Sequence, residues 1–211
     1  MPSIHIYPLS RLVLAPAAKW EQLIKMIEDG KEKAFAYYLP MREGVALFCS
    51  RPGADVEAVA AEVVARARQM GGKRGQNMAK DNDAAFRQFV SIFYPQISKF
   101  ERSLLREGQD GVDLEGINLA GTPHLEVRDA NEKTRYVFLH AAKWPESELR
   151  VYLQLLAFII EKKYAASAEQ LWCMDLRTGK TVKFKSGLRL ERQCRIAAKH
   201  YARFANAIAS E

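Results

Sequence analysis

Ten consecutive residues, Val151 to Ile160, are apolar apart from Gln154, and they lie inside a helix that Pro145 and Glu146 open and that runs to Tyr164. A helix that is apolar around its whole circumference has no face to offer water, so other elements must enclose it. The stretch is too short and too interrupted to cross a bilayer, which needs about 20 predominantly apolar residues. It reads as the buried core helix of a globular domain. A chain of 211 residues can supply the cover, since a chain of this size buries roughly 70% of the surface it exposes when unfolded. That length fits one large domain or two small ones.

The flanking sequence supplies the other elements. Ile4 to Leu9 reads as a strand, closed by Pro8 and Ser10, and Pro16 opens a helix to Gly30 whose Trp20, Leu23, Ile24 and Ile27 form one apolar stripe. Phe35 to Leu39 and Val45 to Cys49 read as two strands around a charged turn, Arg42-Glu43-Gly44. Asp55 is placed to cap a helix from Val56 to Met70 with Val56, Val59, Ala60, Val63 and Ala67 inward. Gly71-Gly72-Lys73-Arg74-Gly75 then reads as a basic connector. Its composition suits a phosphate, but its spacing is not that of a P-loop. Asp83 is expected to cap a helix from Ala84 to about Arg106, kinked or split at Pro95.

From Gly111 the pattern becomes that of strands. Val112 to Ala120, Thr122 to Arg128 and Tyr136 to Ala142 are expected as three strands, the last two joined by a turn at Asp129-Ala130-Asn131-Glu132. After the buried helix, Leu171–Leu176 and Thr181–Phe184 form a hairpin around Arg177-Thr178-Gly179-Lys180, and a basic helix runs from Leu190 to about Ile208. This order describes an α/β unit with a mixed sheet. The expected organisation is an N-terminal α/β region over residues 1–80 and a second unit over 81–211.

Charge and cysteine usage narrow the function classes. The net charge is +7, and residues 171–211 hold nine Lys or Arg against Asp175, Glu191 and Glu211, a concentration that draws polyanions. Arg192, Arg195, Lys199 and Arg203 repeat at helical spacing beside apolar Leu190, Cys194, Ala197, Tyr201, Phe204 and Ile208. Lys183 and Lys185 share a strand face, and these six cations are the candidate nucleic-acid contacts. Cys49, Cys173 and Cys194 show no CxxC spacing, and Met1 to His5 carries no secretory features. Both observations point to a reducing cytoplasm, and the lack of any apolar segment of membrane-spanning length points away from a membrane partner.

Four stretches in order resemble the RecB-type branch of the PD-(D/E)XK nucleases. They are Gly121-Thr122-Pro123-His124-Leu125, Tyr136 to Ala142, Glu148-Leu149-Arg150-Val151-Tyr152, and Leu171 to Gly179. The resemblance spans Gly111 to Phe184 and leaves the first 80 residues unexplained. It implies a core of helix, three-strand mixed sheet, buried helix, strand hairpin and C-terminal helix, preceded by the N-terminal α/β extension. It also implies a metal site made by two carboxylates on adjacent strands and a nearby Lys, with a Gln and a Tyr on the following helix.

Here the two acid positions are His124 and His140, the Lys position is Ala142, and the helix offers Glu148 and Tyr152. Magnesium takes hard oxygen ligands, and imidazole is a poor substitute. The expectation is a catalytically degenerate nuclease-type protein without a cofactor. It would bind nucleic acid or serve as a non-catalytic subunit, with a protein partner, in a DNA-processing or defence assembly. One alternative register keeps Asp113, Glu126 and Arg128 as an active set that would use magnesium or manganese. Another pairs His124 and His140 on a softer metal. A third takes the fold as a protein–protein scaffold. Trp144 and Tyr136 are candidate base-stacking rings.

Overall fold

The computed structural model describes residues 1–29, 37–51, 53–69, 71–105, 111–129, 131 and 133–208. Expectations that fall on Gly30, Phe35, Ala36, Pro52, Met70, Arg106, Ala130 and Glu132 lie outside the described residues. The fold is α/β, and among the described residues the strands form two mixed sheets.

The smaller sheet has the order β1-β4-β3, with β1 (Ser3–His5) parallel to β4 (Ile117–Ala120) and β3 (Val112–Leu114) antiparallel to it. The larger has the order β2-β5-β6-β7-β8, built from Glu101–Leu104, Leu125–Arg128, Thr134–His140, Leu171–Asp175 and Lys180–Lys183. In it β6 and β7 are parallel, and every other neighbouring pair is antiparallel.

The parallel pair is joined by α7 (Glu146–Tyr164), whose residues Val151 to Ile160 are all buried, as its apolar circumference demands. Around it pack α1 (Ile6–Leu14), α8 (Leu188–Ile208) and strands of both sheets. The one polar interruption, Gln154, accepts a hydrogen bond from the Ser186 hydroxyl at 2.9 Å, so its burial leaves that oxygen satisfied.

Alternation along β6 divides the interior. Tyr136 and Phe138 face the core around α7, while Val137, Leu139 and Ala141 face a second core. That second core is built from α3 (Leu39–Ser50), α4 (Val56–Arg68) and α5 (Gly72–Gln88). Residues before and after position 80 contribute to both cores, and the expected division at 80/81 falls inside α5.

Several local expectations are corrected. Ile6–Leu14 is helical, because Ile6, Leu9 and Ser10 bury one face at helical spacing and Pro8 sits in the first turn, where its missing N–H has no partner to lose. Val45–Cys49 belongs to α3, not to a strand: Pro40, Met41, Gly44, Val45 and Phe48 are the buried positions, one face at helical spacing. Gly44 is no turn residue but the point where α3 and α4 approach closely, since a Cβ there would stand 2.2 Å from Val63 Cγ2.

Only Gly71 and Gly72 of the basic connector have positive φ, and Lys73, Arg74 and Gly75 are already helical. Asp83 lies within α5 and pairs with Arg87 instead of capping a helix. The long helix ends early, through a π-turn at Phe89–Phe93 and α6 (Tyr94–Ile97), immediately around Pro95. Val112–Ala120 is a hairpin and not one strand. Glu115 and Gly116 both take positive φ, and Asp113 Oδ1 accepts the Gly116 N–H at 3.1 Å. This hairpin pairs with β1 and stays out of the main sheet. The helix expected after Pro16, here α2 (Trp20–Glu28), the helix capped by Asp55, the buried α7, the β7–β8 hairpin and α8 match expectation.

Leu155 is fully buried in α7. Leu155→Asp is expected to abolish soluble folding, because an unpaired charge there costs several kcal/mol against a total stability of about 5–15 kcal/mol. A soluble, cooperatively melting Leu155→Asp protein in circular dichroism would show that α7 is not core.

Candidate functional site

In an open α/β sheet the crevice beyond the carboxyl ends of parallel strands is left uncovered, because the chain must leave each strand there to reach the crossover helix. In this chain β6 leads through Ala141–Trp144 into α7, and a cleft of about 520 Å³ opens at that point. Its floor and one wall carry His124, Phe138, Leu139, His140 and Ala142; Tyr37, Tyr38 and Arg42, with Arg74 and Asp81 of α5, line it from the helical side. The positions that resemble the two acid slots and the Lys slot therefore meet in one cleft, as His124, His140 and Ala142.

Aromatic packing sets these positions. Phe138 stacks on Tyr152 with centroids 4.7 Å apart, and the His124 ring lies 4.9 Å from it. Trp144 packs against His140 at 5.0 Å, Tyr152 at 5.1 Å and Tyr7 at 5.5 Å. Tyr152 is thus core beneath the cleft. Glu148, in the first turn of α7, is half-buried, and burial raises its pKa while Arg11 opposes the rise. Glu148 does not line the cleft.

The two histidines are held neutral. Burial pushes the His124 pKa well below its ordinary 6.5, and the nearby Arg42 charge adds to the effect. His124 Nδ1 accepts the Leu139 N–H at 2.9 Å, and its Nε2 lies 3.3 Å from Arg42 Nη1. Burial also lowers the His140 pKa, with Asp175 raising it and Arg177 lowering it. A divalent cation does not fit this donor set. One imidazole nitrogen is already used, a guanidinium stands beside the other, and the third position is a methyl group.

The remaining candidates lie elsewhere. Asp113 is on β3 of the smaller sheet, with its carboxylate on the turn, and Glu126 is on β5 of the larger sheet, 3.1 Å from Arg128. Neither Asp113, Glu126 nor Arg128 lines the cleft. On α8, Arg192, Lys199 and Arg203 are exposed. Arg195 departs from the expected solvated stripe: it pairs with Glu191 at 3.1 Å and Glu115 at 3.2 Å and covers the Phe158 ring, because α8 packs beside the β3–β4 turn. Lys183 and Lys185 border a separate hollow of about 650 Å³ with Lys133 and Arg135, where Arg135 and Lys183 lie over the Trp172 ring at 4.5 and 5.8 Å. Tyr136 is buried in the core and is no stacking platform, whereas Trp144 lines the cleft.

Sequence reasoning missed the helical wall. Tyr37, Tyr38 and Arg42 were expected in strands and a turn, and Arg74 in a loop. The segment 37–42 is held by Asn82, which is fully buried in α5. Its side chain accepts the Met41 N–H at 2.9 Å and donates to the Tyr37 and Met78 carbonyls at 2.8 Å. A lone Asn in a helical pattern carries no signal for such a role. The basic composition of 71–75 was the one usable hint. No protein-family model matches the chain, and no curated protein matches it.

Because His124 and His140 have lowered pKa values when folded, the unfolded chain binds more protons, and stability should be full above about pH 6.5 and fall below it. Each group contributes a slope of up to about 1.4 kcal/mol per pH unit until its folded pKa is reached. His124→Asn keeps an acceptor for the Leu139 N–H and removes the titration. Chemical denaturation at pH 7 and pH 5 should show a smaller loss for this variant than for the wild type, and an equal loss would refute the neutral His124.

Proposed function

We propose that this chain is a nucleic-acid-binding α/β protein that does not cleave, with the β6 cleft as its principal contact. The observation that carries this reading is the composition of the cleft: among the described residues three cations (Arg42, Arg74 and Lys143) share it with Tyr7, Tyr38, Phe138 and Trp144, and Asp81 is the single acid. Cations meet phosphates and aromatic rings take unstacked bases, the combination by which single strands are held without sequence preference. The exposed Arg192, Lys199 and Arg203 add long-range attraction for a polyanion.

The likeness to RecB-type nucleases supports the choice of nucleic acid. The replacement of both acids and the Lys by His124, His140 and Ala142 supports loss of magnesium-dependent hydrolysis. Membership of a larger DNA-processing or defence assembly follows from the same likeness and is part of the proposal.

Fluorescence anisotropy of labelled single-stranded oligonucleotides should show affinity falling with salt. Arg74→Ala with Lys143→Ala should weaken binding at least tenfold and lower the log–log slope by about 1.4, at roughly 0.7 per phosphate contact. Absence of binding at low salt would shift the reading to a protein–protein scaffold. With magnesium or manganese, linear, circular and single-stranded DNA should stay intact. Cleavage that disappears in Asp113→Ala or Glu126→Ala would overturn the non-cleaving reading.

A further inference from the structure

The last helix carries its charge on the side turned away from the core. In α8, Cys194, Ala198, Tyr201 and Ala205 are buried and mark the face that packs on the core around α7. Arg189, Arg192, Ile196, Lys199 and Arg203 recur at intervals of three and four, and all are exposed. At 3.6 residues per turn they fall within an arc of about 80° on the opposite side. Ile196 is 50% exposed and is the one apolar member of the stripe. Of the acids beside α8, Glu191 and Glu115 hold Arg195, and Glu28 accepts the Tyr201 hydroxyl. Among the described residues, none of Arg189, Arg192, Lys199 and Arg203 enters an ion pair.

We propose that this face of α8 is a docking surface for duplex nucleic acid and lies across the major groove. The stripe is about 21 Å long, at 1.5 Å per residue. Arg189 with Arg192 and Lys199 with Arg203 form two cationic pairs, centred about 16 Å apart along the helix with Ile196 between them. A major groove is about 12 Å wide, and the long side chains span the difference, so each pair meets the phosphates of one wall. Ile196 then lies over the base edges. The stripe has no aromatic ring for the stacking by which single strands are held, and the adjacent His200 packs on Trp20 at 4.9 Å. A helix that rests on lipid needs a broad apolar face, and in α8 that face is buried. None of the stripe lines the β6 cleft, whose α3 and α5 wall packs on the second core, so the two surfaces can bind independently.

The test is fluorescence anisotropy of the full chain on a labelled blunt-ended duplex of two helical turns, across a salt series, beside a single strand and phosphatidylserine vesicles. Arg192→Ala with Lys199→Ala should melt like the wild type, since both side chains are exposed and alanine favours a helix. This double change should weaken duplex binding at least about tenfold and lower its log–log slope by about 1.8, at roughly 0.9 per phosphate contact. Single-strand affinity should fall no more than about threefold, through the loss of long-range attraction. Arg74→Ala with Lys143→Ala removes the same charge from the cleft and should leave duplex binding within about twofold. Amide ¹H–¹⁵N shifts on adding duplex should gather in residues 189–203.

Absence of duplex binding at low salt, or duplex binding indifferent to the α8 change, would overturn the surface. Equal losses from the α8 and cleft changes would do the same, because they mark net charge alone. Vesicle binding that disappears with the α8 change while duplex binding persists would assign the face to lipid and remove the duplex. Duplex binding through α8 without any single-strand binding would uphold this surface and remove the cleft as the principal contact. Single-strand binding through the cleft without duplex binding would do the opposite.

Discussion

The burial of α7 on every side is the constraint on which the rest of the structure depends. Its ten consecutive core residues need cover from all directions, and that cover comes from α1, α8, the face of β6 bearing Tyr136 and Phe138, and the small sheet formed by β1, β3 and β4. The hydrophobic effect is non-directional, so it demands enclosure without naming the enclosing elements. The parallel pairing of β6 with β7 then follows from connectivity, because a long helical crossover lets two strands run in the same direction. Where that crossover begins, the chain turns away from the sheet, and the cleft is the space it leaves.

Within the cleft, backbone geometry determines the electrostatics. The Leu139 N–H is a fixed donor at the end of β6, and it makes the His124 ring an acceptor on one side and a donor on the other. Burial together with the Arg42 charge disfavours a second proton. A carboxylate at the same position would have accepted from Arg42 and offered oxygen ligands to a metal.

The elements legible in the sequence were those with a strong pattern: the apolar run of α7, the Asp55 cap, the apolar β6 and the hairpin at Arg177–Lys180. The misread elements share a cause. A short run such as Val45–Cys49 satisfies both a strand and a helix template, and the choice depends on whether Gly44 is a turn or a contact point between helices. Likewise Val112–Ala120 alternates as one strand would, and only the positive φ at Glu115 and Gly116 makes it a hairpin. Half of the site followed from motif order, which located His124, His140 and Ala142. The other half, Tyr37, Tyr38, Arg42 and Arg74, comes from helices whose residues have no local mark of function.

By itself the sequence determined that the chain forms an α/β core around one enclosed helix and that positive charge gathers in residues 171–211. These are properties of composition and spacing, which do not depend on distant residues. Only the tertiary structure decided that residues 1–80 share both cores with the rest, that Arg195 is tied to Glu191 and Glu115, and that Arg42 stands against His124 across 82 positions of sequence. Such contacts are set by how buried faces find cover. A charge on a helix acquires its meaning from the element that packs beside it.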